Sequence, residues 1–156
     1  MAVAEGHLPR LLHLVRALEK RGELSLDDDV REHVPELPDL GETITIRHLL
    51  SHTTGYREFI NLIMMTGRRV DHGDWVDRSE IIDIVQRQPA LQNSPGSEFN
   101  YNNTAFGLAA VIVERISGQD FHEFIPFLPG NTRFGVCFFA VSDKQFRPLK
   151  TAGDHP

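Results

Sequence analysis

The stretch from Thr104 to Ser117 constrains this chain more than any other. Phe106, Ala109, Ala110, Val113 and Ile116 recur at spacings of three and four residues, which places them on one stripe of a helix. Gly118 follows as a natural stop. A helix this apolar must be covered by neighbours, so the rest of the chain has to supply packing partners. Leu8, Leu11, Leu12, Val15 and Leu18 form a second such stripe, ended by Gly22. Phe59 to Met65 reads as a greasy helical segment ended by Gly67, with a polar loop over residues 68–73. Asp77 with Glu80 three positions on predicts a capping box, and Val76 with Ile81 the hydrophobic staple beside it. Ile81, Ile82 and Val85 then face a core, and the helix stops before Pro89.

Between these helices the chain is punctuated. Asp27, Asp28 and Asp29 precede an irregular stretch broken by Pro35 and Pro38. Thr43 to Leu50 predicts a short extended piece running into a short helix. Residues 94–97 are a turn by composition. Phe121, Phe124 and Ile125 predict one more short helix. The tail from Pro126 to Pro156 holds four prolines and one candidate strand, Val136 to Val141. The expected fold is therefore mainly α, with a short β element near the C-terminus.

Composition narrows the function classes. Hydrophobic residues make up 40% and charged residues 24%, which excludes disorder of the whole chain. No apolar run approaches the roughly 18 residues that a membrane span needs. The net charge of −6 offers no basic footprint for nucleic acid. A single cysteine, Cys137, excludes an internal disulfide and a thiolate metal cluster. Residues 1–7 lack a basic start followed by an apolar core, so the chain as written carries no secretory signal and reads as cytoplasmic.

Several residues invite a chemical reading. His48 and His52 stand four apart and could share a zinc ion, but no Glu follows the first His and no third ligand is in sight. The acidic run 27–29 lacks the glycine and distal Glu of a calcium loop and reads as a capping turn. Asn102-Asn103-Thr104 is a formal glycosylation acceptor, with little meaning absent a secretory signal. Lys150-Thr151-Ala152-Gly153 falls one inserted alanine short of Lys-Thr-Gly. Tyr101-Asn102-Asn103 opens the strongest helix. A Tyr at such a junction can point into a cleft, and its phenol, near pKa ~10, needs a cationic neighbour to act as a base. A Tyr packed on the core beside a helix-capping Asn fits the same three residues.

Five segments, taken in order, carry a resemblance. Residues 22–30 (GELSLDDDV), 34–38 (VPELP), 44–55 (ITIRHLLSHTTG), 95–104 (PGSEFNYNNT) and 114–121 (ERISGQDF) are similar to the serine β-lactamase-like family. That family takes in class C β-lactamases, penicillin-binding proteins and related esterases. The resemblance implies acyl transfer through a serine ester, on lactam, peptide or ester substrates and without a cofactor or metal. It gives Tyr101, of Tyr-x-Asn, a share in proton transfer, and Asn103 an orienting role. His48, His52 and Gly55 look like scaffold near the site. The implied fold is the helical subdomain of the β-lactamase/transpeptidase-like fold, with residues 1–125 a partial domain and 126–156 a divergent tail.

The chain departs from the family at two places. Counting back to the Ser-x-x-Lys motif lands on Glu5 and Leu8, and no Ser precedes Ser25. The third motif, a Lys-Thr-Gly or His-x-Gly strand, has no intact counterpart. A truncated, inactive relative is expected. Its Met64, Met65 and Phe106 surfaces would be uncovered and favour self-association. An alternative is a non-catalytic interaction module on the same scaffold. Ser51 beside His52 is the one other candidate nucleophile, without the G-x-S-x-G elbow.

Overall fold

A computed structural model describes residues 8–68 and 76–118. They form α1 (Leu8–Lys20), α2 (Val30–His33), α3 (Ile46–Leu50), α4 (Phe59–Met65), α5 (Arg78–Gln86) and α6 (Asn103–Ser117). Among the described residues the β pairing is a single antiparallel bridge between Asp29 and Thr45. The predicted mainly α architecture is what the described residues adopt. The loop over 69–73, the short helix near Phe121, the strand from Val136 to Val141, Cys137, Lys150 to Gly153 and the whole tail lie outside the described residues.

Helix α6 is the hub, since α1, α2, α3, α4 and α5 all pack against it. This corrects the expectation of one buried stripe. Every residue from Thr104 to Val113 is buried, so the first turns of α6 have no wet face. Small residues make that possible. Ala105, Gly107, Ala109 and Ala110 let neighbouring backbones approach, and a Cβ at Gly107 would stand 3.0 Å from Ile81 Cδ1. Phe106 is buried too, against the expectation that its surface is uncovered, because the surrounding helices close over it. Full burial of a side chain such as Leu108 or Ile112 stabilises by about 1.5–3 kcal/mol. Gly118 ends the helix at φ 67°, in the left-handed region.

The other helices supply matching faces. From α1 come the buried Leu11, Val15 and Leu18, with Leu12 half-buried. From α5 come Ile81, Ile82 and Val85. Val76 and Ile81 share a small cluster with Phe59 and Ile63, as the staple predicted. The capping box at Asp77 is only half made. Asp77 Oδ1 accepts from the Glu80 N–H at 2.8 Å, but the Glu80 carboxylate is drawn away by the guanidinium of Arg68. The complete box stands at α3 instead. There Thr45 Oγ1 accepts the His48 N–H at 3.3 Å and His48 Nδ1 accepts the Thr45 N–H at 3.2 Å.

The acidic run is a capping turn, as expected. Asp29 caps α2 by accepting from the Arg31 N–H, Asp28 accepts from the Ser25 N–H, and Asp27 pairs with Arg47 at 2.9 Å. No described helix is long and apolar enough to cross a membrane.

Candidate active site

Two distant segments are laid side by side to build the site. The Asn100 N–H donates to the His52 carbonyl, the Gly96 N–H to the Thr53 carbonyl and the Gln92 N–H to the Gly55 carbonyl, each at 2.8 Å. Gly55 makes this approach feasible. Its φ is 77°, and a Cβ there would meet the Asn93 carbonyl oxygen at 2.1 Å. The turn closed by the Ser97 N–H on the Ser94 carbonyl then sends the chain through Tyr101 into α6.

His52 sits at the centre of this junction. Helix α3 ends at Leu50, and His52 takes φ 55°, in the left-handed region where side chains are uncommon. The four-residue spacing therefore does not set His48 and His52 on one helix face. His52 instead brackets Tyr101. Its carbonyl accepts from Asn100, the residue before, and its Nδ1 accepts from the N–H of Asn102, the residue after, at 3.3 Å. Its ring lies against the Tyr101 ring with centroids 4.7 Å apart, and meets Phe99 edge-on at 6.0 Å. Since Nδ1 accepts, the neutral ring carries its proton on Nε2. That atom is buried without a hydrogen-bond partner among the described residues. Burial pushes the His52 imidazole below its usual range, and does the same at His48, where Arg47 adds to the effect.

The triplet itself divides its labour. Asn102, the middle residue, caps α6. Its Oδ1 accepts the Ala105 N–H at 3.2 Å and its Nδ2 donates to the Tyr56 carbonyl at 2.5 Å. Asn102 is 3% exposed, so the formal glycosylation acceptor is closed off inside the fold. Tyr101 is not packed on the core. It is 52% exposed, and its hydroxyl makes no hydrogen bond among the described residues. Asn103 is the first residue of α6. Its backbone N–H and its Nδ2 both donate to Glu58 Oε2, at 2.6 and 3.1 Å. Thr104 Oγ1 accepts the Phe59 N–H at 2.9 Å and donates to the Arg57 carbonyl at 2.7 Å. The starts of α4 and α6 are thus stitched together beneath the site.

Sequence reasoning did not single out Glu58, because Glu is not a favoured capping residue and its partners lie 45 positions away. Ser51 is not a nucleophile paired with its neighbour. Its hydroxyl donates to the Arg47 carbonyl and meets Thr53 Oγ1, each at 2.8 Å, while the His52 ring is committed to Asn102. Among the described residues no three His, Cys, Asp or Glu side chains gather as metal ligands would.

A family model described as Beta-lactamase matches residues 13–126. Penicillin-binding protein 4* of Bacillus subtilis is 32% identical over 116 residues, which cover 72% of this chain and 25% of that protein. The putative penicillin-binding protein PbpX of the same organism is 29% identical over 135 residues, covering 84% of this chain and 31% of that one. An octameric penicillin-binding protein homologue from Pyrococcus abyssi superposes with a TM-score of 0.63 at 27% identity, over 76% of this chain and 28% of its own. The chain thus spans between 25% and 31% of the length of these relatives.

Proposed function

The chain belongs to the beta-lactamase family, and we propose that its described residues form the Tyr-x-Asn side of an acyl-serine hydrolase site for lactam, peptide or ester substrates. The bracketing of Tyr101 by His52 carries this reading. A tyrosine whose backbone is held on both sides and whose ring meets a tilted imidazole, yet is open to solvent, supports a role in exchanging a proton with a reacting group. To act as a base near neutrality a phenol needs a cation beside it, which the lysine of Ser-x-x-Lys supplies in the family.

The 156 residues contain no Ser followed three positions on by Lys. On its own the polypeptide therefore forms no acyl-serine, and intact-mass analysis after exposure to a penicillin or a fluorophosphonate is expected to find no adduct. The positive test is a chimera. Residues 13–118 replace their counterpart in penicillin-binding protein 4* of Bacillus subtilis, and covalent labelling by a fluorescent penicillin is timed. The chimera is expected to label, and Tyr101→Phe within it to slow labelling by about 10²–10⁴-fold. Equal labelling with and without the hydroxyl would sink the reading.

A second reading, self-association, rests on the 44% and 84% exposure of Met64 and Met65. Sedimentation equilibrium of the chain and of Met65→Lys tests it. A monomer in both cases ends it.

A further inference from the structure

We propose that Glu58 is a positioning residue that fixes which end of the Asn103 amide faces the reacting groups. The inference rests on the role given above to Asn103. One carboxylate spans the starts of two helices. Glu58 Oε1 accepts the Ile60 N–H at 3.1 Å and so caps α4. Its Oε2 accepts both the backbone N–H and the Nδ2 of Asn103 at the first position of α6. An ionised carboxylate has lone pairs and no proton to give. Only the NH₂ end of the Asn103 amide can therefore turn toward it. Rotating that amide by half a turn would set Oδ1 against Oε2, two acceptors at hydrogen-bond distance.

The consequence falls on the other end of the amide. With Nδ2 held by Glu58, Oδ1 points away and makes no hydrogen bond among the described residues. It is an acceptor only, so it suits a donor such as an ammonium group or a substrate N–H. A Gln at the same position would hold either face of its amide to Asn103 and so leave the orientation undetermined.

The test is ¹⁵N–¹H NMR of the full chain. In the unaltered protein the Asn103 side-chain NH₂ is expected to exchange with water at least about tenfold more slowly than that of exposed Asn61. Glu58→Asp keeps a favoured cap on the Ile60 N–H but shortens the reach by one methylene. It should leave the α4 amide signals in place while Asn103 exchange rises to the Asn61 rate. Equal exchange at Asn103 and Asn61 in the unaltered chain overturns the proposal without any variant having to fold. Protection that persists in both Glu58→Asp and Glu58→Ala overturns it as well. These readouts need no activity. Failure of the functional reading shows elsewhere, as chimera labelling that ignores Asn103→Ala while the Glu58 tie stands.

Discussion

At its N-terminal end α6 enters the fold through short polar contacts: Asn102 on Tyr56 and Ala105, Asn103 on Glu58, Thr104 on Arg57 and Phe59. Fourteen residues on from Asn103 it leaves at Ser117, beside an open groove of about 300 Å³ lined by Leu14, Leu18, Arg21, Glu23, Val113, Ile116 and Ser117. The first end buries donors and acceptors that have to be matched one by one. The second is held by apolar contact and by ion pairs, Arg115–Glu36 exposed at 2.6 Å and Arg78–Glu114 largely buried. A hydrogen-bonded junction tolerates one geometry, whereas an apolar contact tolerates many. The chemistry-bearing triplet sits on the junction of the first kind.

The largest break in this contrast should come from Gly55→Ala. The new Cβ would overlap the Asn93 carbonyl, which is backbone and cannot swing aside, and the residue would be forced to keep φ 77°. The left-handed conformation alone costs an L-residue about 1–2 kcal/mol, and relieving the overlap has to pull the 92–100 segment off the turn. Loss of at least about 3 kcal/mol in urea denaturation is expected, together with loss of the Asn100 and Gly96 amide protection. A cost below about 1 kcal/mol would mean that the two segments are not bound as tightly as their geometry implies.

Thr104→Val comes next. It keeps shape and volume but removes the oxygen that serves the Phe59 N–H and the Arg57 carbonyl. The Phe59 N–H and the Arg57 carbonyl then lose this partner, at a cost of about 2–4 kcal/mol. The α4 amides near Phe59 should lose protection before those of α1, since the stitch lies between α4 and α6.

These effects also mark what was legible in the sequence. All the helices but α2 were, because apolar periodicity, Gly22, Gly67 and Gly118 are local signals, whereas Val30–His33 lies in a stretch that reads as irregular. Burial of α6 on every side was not. A stripe of Phe106, Ala109 and Val113 is visible, but the closing of α4 and α5 over the remaining faces depends on pairings far apart in the chain. The Tyr101 triplet could be picked out from its place at the head of α6, but the roles of Tyr101 and Asn103 came only through resemblance. That Asn102 rather than Asn103 caps the helix is a local choice, made with the Ala105 N–H three positions on, but that Glu58 serves both helices follows from a partner 45 positions distant. The Asp77 box failed for a similar reason: the local pattern was present, and Arg68 outcompeted the backbone for Glu80.

A pH series separates the two ends more gently. Burial lowers the His52 pKa in the folded chain below its unfolded value of about 6.5. The unfolded chain therefore binds this proton more readily, and acidification favours unfolding. The contribution is complete above pH ~6.5, shrinks as pH falls below it and levels off beneath the folded pKa. His52→Gln should flatten that part of the stability profile relative to the unaltered chain. His48, shifted in the same direction, leaves a residual slope that His48→Gln removes. An unchanged slope in the double variant would show that neither imidazole resists protonation in the fold.

The smallest effect belongs to the far end of α6. Ile116 is partly buried at the edge of the core and lines the groove. Ile116→Val removes one methyl from a wall that already borders open space, so little new cavity forms and neighbouring side chains can follow it. A loss of about 0.5 kcal/mol is expected, the low end of the range for this exchange in packed cores. Because Ile116 carries no polar partner, the loss should not vary with pH, and it should add to that of Thr104→Val in a double-mutant cycle to within about 0.5 kcal/mol. A coupling larger than that would mean that strain at the polar junction travels the length of α6. The two ends would then work as a single unit, and the orientation of Tyr101 and Asn103 would depend on how the groove is filled.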